Sequence, residues 1–160
     1  TMHDEQIQVS RHLLQNLKDR NKRPVIPVGT TAMRTLESLY WFGVMLFEEG
    51  LAKSVFHLDQ WFPYQDHREL PSVEDSINSL IAYLDHHELE SFKATTALMI
   101  APGYEIKMVN GLITNFHQPK STLLLLVAAL IGDKWKHVYD YALANDFRFL
   151  SYGDACLFLP

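Results

Sequence analysis

The residues most able to do chemistry gather between Asn115 and Thr122, in the stretch GLITNFHQPKST. Asn115 offers a carboxamide, His117 an imidazole, and Ser121 and Thr122 two hydroxyls. Imidazole titrates near neutrality, so His117 is the best single acid/base candidate in the chain. Its alternative is a satisfied structural histidine. Ser121 and Thr122 precede an apolar run and can cap a helix. The chemistry of such a cluster is polar or anionic ligand binding, with one group able to move a proton. In open α/β sheets that work is done where a strand hands over to a helix.

A second junction has the same character. Gly29-Thr30-Thr31 follows a short apolar run and precedes a helical pattern that holds Arg34. Free backbone N–H groups beside two hydroxyls and a guanidinium suit a carboxylate or phosphate. Plain N-capping explains the threonines equally well. His3 and Glu5 are two apart, so on a strand they share a face and can form an acid/base or binding pair. Asp154, in a Tyr-Gly-Asp turn, is either a turn-forming residue or a ligand for hydroxyls or an amine.

These groups need elements to carry them. Residues 5–9 alternate as a strand, and Ser10 caps a helix over about 11–20. Residues 24–28 read as a short strand with prolines at 24 and 27, then a helix follows over about 31–41. Residues 43–71 are irregular but rich in aromatics. Their His57, Asp59, Asp66 and His67 match no tight metal-ligand spacing, and no metal is expected. Ser72 caps a helix over about 73–87 with Val73, Ile77, Leu80, Ile81 and Leu84 inward. Thr95–Ala101 is a strand. Pro102-Gly103 is a turn. Residues 104–108 alternate and are expected to pair with 112–116 through Asn110-Gly111, a strong hairpin signal. Pro119 is expected to end that strand. A buried helix over about 121–131 stops at Gly132. Asp133 caps a helix over about 134–145, and a strand–turn–strand closes the chain. The expected fold class is α/β, a mixed sheet flanked by helices.

At 160 residues the chain can bury a core, and 48% hydrophobic with 21% charged residues is globular composition. A single cysteine, Cys156, excludes an internal disulfide and suits a reducing compartment. The apolar run 123–131 is too short to span a bilayer. The net charge of −5 argues against a dedicated nucleic-acid-binding module. A cytoplasmic, non-membrane protein is expected.

Five separated strings, in order, resemble one family. They are Met2-His3-Asp4-Glu5, then Val28-Gly29-Thr30-Thr31 with Arg34, Leu36, Glu37 and Ser38, then Pro102-Gly103-Tyr104. Residues 111–126 and the segment Arg148-Phe149-Leu150-Ser151-Tyr152-Gly153-Asp154-Ala155 complete the set. Together they are similar to the S-adenosylmethionine:tRNA ribosyltransferase-isomerases of queuosine biosynthesis. Gln118 stands where the family usually has Leu, and Ala101 where it usually has Tyr.

The resemblance implies transfer and isomerisation of the ribosyl group of S-adenosylmethionine onto 7-aminomethyl-7-deazaguanine in the tRNA anticodon. The product is epoxyqueuosine. S-adenosylmethionine is then a substrate, and no cofactor or metal is implied. Family enzymes join an α/β domain to a β-barrel. This chain is expected to be one α/β domain over 1–160, a fragment lacking the N-terminal part and the barrel, with 42–94 a divergent insert. Catalytic roles fall on His117, His3, Glu5 and Asp154. Substrate-binding roles fall on Thr30, Thr31, Arg34, Asn115, Ser121, Thr122, Tyr104 and Tyr152. The rivals are a non-catalytic nucleoside- or RNA-binding domain that keeps the fold, and a Rossmann-like methyltransferase. The second lacks a GxGxxG loop. Surface stripped of a missing partner domain would also favour self-association.

The isolated chain, being acidic, is expected to bind tRNA weakly, through Lys120, Lys134, Lys136 and Arg148. Filter binding across a salt series checks this; tight, steeply salt-dependent binding would contradict it.

Overall fold

The computed structural model describes residues 3–67, 69–118 and 120–160. Met2 and Pro119, on which one family string and one expected strand end rely, lie outside the described residues. Among the described residues, five α-helices, a mixed three-stranded sheet and a two-stranded sheet make the fold α/β, and no barrel closes. The chain divides into two compact units. Unit 1 holds 1–23 and 35–98, and unit 2 holds 24–34 and 99–160.

Unit 1 is built on β1 (Glu5–Ser10), β2 (Phe56–Leu58) and β3 (Ser91–Thr96), with β3 central. β1 runs antiparallel to β3 with Val9 opposite Phe92, and β2 runs parallel to β3 with Phe56 opposite Ala94. Alternation puts Val9, Phe56, Leu58, Phe92, Ala94 and Thr96 on the buried face. Ser10 accepts from the Leu13 N–H at 3.2 Å and starts α1 (Arg11–Lys18). Ser72 does the same for Asp75 at α3 (Val73–His86). Aromatic edges join sheet to helices: Phe42 meets Phe56 at 5.5 Å, and Phe56 meets Tyr83 at 4.9 Å.

Helix α2 runs Thr30–Glu49, eight residues beyond the predicted end. The run Leu39–Leu46 is buried without interruption, so the amphipathic period that marks a surface helix is missing there. The expected irregular segment therefore begins as helix, and it also holds β2 and a 3₁₀ turn at Phe62–Tyr64. His57 there bonds Thr95 and Asp59, while His67 bonds Glu48 and the Phe62 carbonyl. No group of three or more potential metal ligands gathers among the described residues.

Unit 2 corrects four sequence expectations. Residues 24–28 form no regular strand. Pro24 and Pro27 lack N–H donors, and the segment makes only an isolated parallel bridge, Val28 to Ile113. Asn110-Gly111 turns no hairpin, and 104–108 are not a strand. Asn110 instead makes two bonds to Val25, from its N–H (2.8 Å) and to its side-chain oxygen (2.9 Å). Gly111 is required by space: a Cβ there would sit 2.7 Å from the Phe158 carbonyl oxygen. The partner of β4 (Leu112–Asn115) is β5 (Ala155–Phe158), antiparallel, with Leu112 opposite Phe158. The first strand of the expected closing strand–turn–strand, over 147–150, is also missing, and a 3₁₀ turn stands at Leu150–Tyr152.

The helices of unit 2 fall as predicted. Ser121 caps α4 (Thr122–Ile131), which Gly132 ends at φ 59°. Asp133 precedes α5 (Lys134–Ala144) without a side-chain capping bond. No helix among the described residues is long and apolar enough to cross a membrane.

Gly43 sits where α2 meets α3. A Cβ there would come 1.9 Å from Ser76 Oγ and 2.6 Å from its carbonyl oxygen. Ser76 cannot swing aside freely, because its hydroxyl donates to the Tyr40 carbonyl at 2.7 Å. Gly43→Ala is expected to destabilise unit 1 by about 2 kcal/mol despite alanine's better helix propensity. Urea unfolding measures this; an unchanged or higher midpoint would contradict it.

Candidate active site at two strand-to-helix junctions

The backbone of Ile113 ties the two junctions together. Its N–H donates to the Pro27 carbonyl at 2.9 Å, and its carbonyl accepts from the Gly29 N–H at 2.7 Å. The bridge is parallel, so both chains leave it in the same direction. Gly29, at φ 93°, then turns into α2 at Thr30, and β4 passes through Asn115 to His117. Thr30, Thr31 and Arg34 therefore start a helix at the same sheet end at which Asn115 and His117 leave theirs. Arg34 is buried, Thr30 is half-buried and Thr31 is exposed.

His117 is buried at 4% exposure. Its Nε2 shares a hydrogen bond with Thr114 Oγ1 at 3.2 Å. Burial pushes the imidazole below its ordinary value of 6.5, because the charged form loses solvation. A neutral ring is the form that accepts a proton. The His117 N–H donates to the Tyr139 hydroxyl at 3.0 Å. Burial pushes that phenol up, so it stays protonated at neutral pH. Cys156 Sγ donates to the Thr114 carbonyl at 3.3 Å, and burial pushes the thiol up to about 11. A thiol held that high is no nucleophile at neutral pH.

The other sequence candidates take varied places. Ser121 spends its hydroxyl on the Leu124 N–H, and Thr122 is the exposed first residue of α4. Asp154 accepts from the Arg148 backbone N–H and from Arg148 Nε at 3.0 Å, which closes the turn between them. The hydrogen bond from the guanidinium holds its carboxyl below the ordinary value. Tyr104 is buried just after the Pro102-Gly103 turn, which its N–H closes onto the Ala101 carbonyl at 2.9 Å. Tyr152 is 73% exposed in the 3₁₀ turn. His3 is exposed and Glu5 opens β1, both in unit 1.

Thr114, Tyr139 and Cys156 were not legible as site residues. Thr114 lies inside the expected strand 112–116 and Tyr139 inside the expected helix 134–145, and neither pattern marks a site residue. The Tyr139 bond spans 22 residues and depends on how α5 packs, which periodicity does not report.

The profile of the queuosine biosynthesis protein family matches residues 1–158. The S-adenosylmethionine:tRNA ribosyltransferase-isomerase of Synechococcus sp. (strain WH7803) is 34% identical over all of this chain and 33% of its own length. That of Jannaschia sp. (strain CCS1) is 52% identical over 73 residues, 45% of this chain and 21% of its own. The crystal structure of S-adenosylmethionine tRNA ribosyltransferase from Thermotoga maritima aligns with a TM-score of 0.64 at 29% identity. That alignment covers 96% of this chain and 40% of the other. The chain thus spans about a third of the length of the curated relatives it matches end to end. Family profile, sequence relatives and fold agree: the chain belongs to the queuosine biosynthesis protein family.

Proposed function

We propose that this chain is the α/β part of an S-adenosylmethionine:tRNA ribosyltransferase-isomerase. In this reading it helps to move the ribosyl group of S-adenosylmethionine to 7-aminomethyl-7-deazaguanine in tRNA, giving epoxyqueuosine in the cytoplasm. The observation that carries the reading is the Pro27–Ile113–Gly29 contact, which aligns two family strings at one sheet end. Thr30, Thr31 and Arg34 then hold the methionine carboxylate or a tRNA phosphate. Ser121 contributes by shaping the start of α4, and Thr122 by its exposed hydroxyl. Asn115 orients His117 or the adenine.

The reaction needs a proton removed from carbon beside a sulfonium and a proton delivered to departing adenine. The sulfonium acidifies its neighbouring carbon, so a neutral imidazole is a sufficient base. His117 takes the first proton and, once protonated, is the acid for the second. His3 and Glu5 remain the alternative acid/base pair, and Tyr104 and Tyr152 line the approach of the bases. Asp154 acts by holding its turn against Arg148. The second reading is a nucleoside- or RNA-binding domain that keeps the fold without turnover.

Mass spectrometry of tRNA nucleosides from cells with and without the gene encoding this chain separates the two readings. Loss of epoxyqueuosine is expected on deletion, and His117→Ala is expected to restore less than about a hundredth of it. Unchanged epoxyqueuosine on deletion would sink the enzyme reading, and full rescue by His117→Ala would move the acid/base role from His117 to His3 and Glu5.

The buried imidazole also links stability to pH. Its folded value lies below 6.5, so on acidification the unfolded state takes up the proton first. Its contribution is complete above 6.5 and is lost as pH falls toward the folded value. The Asp154 contribution is lost only lower, below its ordinary 3.8. Thermal midpoints are expected to fall from pH 7 to pH 5 in the wild type and less in His117→Asn. Equal slopes in the two proteins would contradict this.

A further inference from the structure

The peptide group joining Phe116 to His117 is held from both sides. Its carbonyl accepts from the Leu150 N–H at 2.8 Å, and its N–H donates to the Tyr139 hydroxyl at 3.0 Å. The two partners come from the 3₁₀ turn and from α5. Neither belongs to the ladder of β4 and β5, whose register ends with Asn115 opposite Ala155.

Each arm is itself fixed. The Tyr139 ring is 5% exposed and packs edge-on against Phe116 at 5.4 Å, Trp135 at 5.9 Å and Phe149 at 6.0 Å. A ring so enclosed presents its hydroxyl in one place. Leu150 sits at φ 59°, a left-handed conformation that a γ-branched residue adopts only when its surroundings impose it. That conformation aims the Leu150 N–H at Phe116. The turn is closed on the other side by Arg148 and Asp154.

Where the strand ladder stops, a peptide plane is ordinarily free to rotate. Rotation here would turn Cα of His117 and swing the imidazole away from Thr114. We infer that Tyr139 is a positioning residue for His117. Its hydroxyl, with the Leu150 N–H opposite, clamps the preceding peptide plane and so fixes the direction of the imidazole. The clamp stands on backbone geometry; its bearing on turnover rests on the His117 reading above. It gives Asp154 a share in catalysis without contact with substrate, through the turn that carries Leu150.

The test is Tyr139→Phe, which keeps the ring and removes only the oxygen. Nitrogen-15 NMR of the His117 ring reads the clamp directly in the purified chain. In the wild type one tautomer is expected, with a titration midpoint below 6.5. In Tyr139→Phe the ring is expected to sample both tautomers, with the midpoint moved back toward 6.5. Asp154→Asn, which loosens the opposite arm, is expected to move the same signals less. Cells carrying Tyr139→Phe are expected to make about tenfold less epoxyqueuosine, since a small misdirection of a reacting group is costly. A His117 spectrum and midpoint unchanged by Tyr139→Phe would overturn the clamp. A changed spectrum together with full rescue by His117→Ala would leave the clamp standing and remove His117 from the chemistry. The two failures are therefore distinct.

Discussion

Ile113 contributes one N–H and one carbonyl to a neighbouring chain, and unit 2 is arranged around those two bonds. Pro27 can only accept, because it has no N–H, and Gly29 leaves the bridge at a positive φ, which glycine adopts without cost. The pair of bonds therefore fixes both where the segment stops pairing and where α2 must start. On the far side β4 is committed to β5, so Ile113 is held between two chains. Buried backbone groups left unpaired cost about as much as a lost hydrogen bond, so this arrangement is strongly specified. The first turn of α2 and the end of β4 are consequences of it.

Polarity around His117 follows from the same packing. The imidazole is buried beside Thr114, and the chain just before it is packed by an aromatic cluster of Phe116, Tyr139, Phe147 and Phe149. That enclosure disfavours the imidazolium and keeps a base available at neutral pH. It also places three polar neighbours, Thr114, Tyr139 and Cys156, in contact with one short stretch of chain. The thiol and the phenol are both held protonated, so neither is a base at neutral pH, whereas the imidazole is held toward its neutral form. The acidic character of the chain as a whole does not enter this local balance.

Sequence patterns made the helices of unit 2 and the strand–helix start of unit 1 legible, because caps and periods are local. Ser10, Ser72 and Ser121 each cap the helix that follows them in sequence. What failed was long-range. Asn110-Gly111 has the composition of a hairpin turn, yet the glycine answers to a carbonyl at Phe158 and the asparagine to Val25. Alternation over 104–108 described a half-buried segment correctly, with Tyr104 and Met108 buried, but supplied no partner strand. The buried stretch of α2 lost its period because it is apolar all round. At the candidate site the sequence singled out His117, Asn115 and the two threonines of the Gly29 turn. It could not single out Tyr139, whose role depends on a contact 22 residues away.

The central claim is that the Gly29-Thr30-Thr31 turn and the Asn115–His117 strand end serve one ligand. Backbone amide NMR of the chain under saturating S-adenosylmethionine addresses it directly. Amide shifts at Thr30 and Thr31 and at Asn115 and His117 are expected to move together, along one binding curve. Movement confined to one junction, separate binding curves for the two, or no movement at either would contradict the claim.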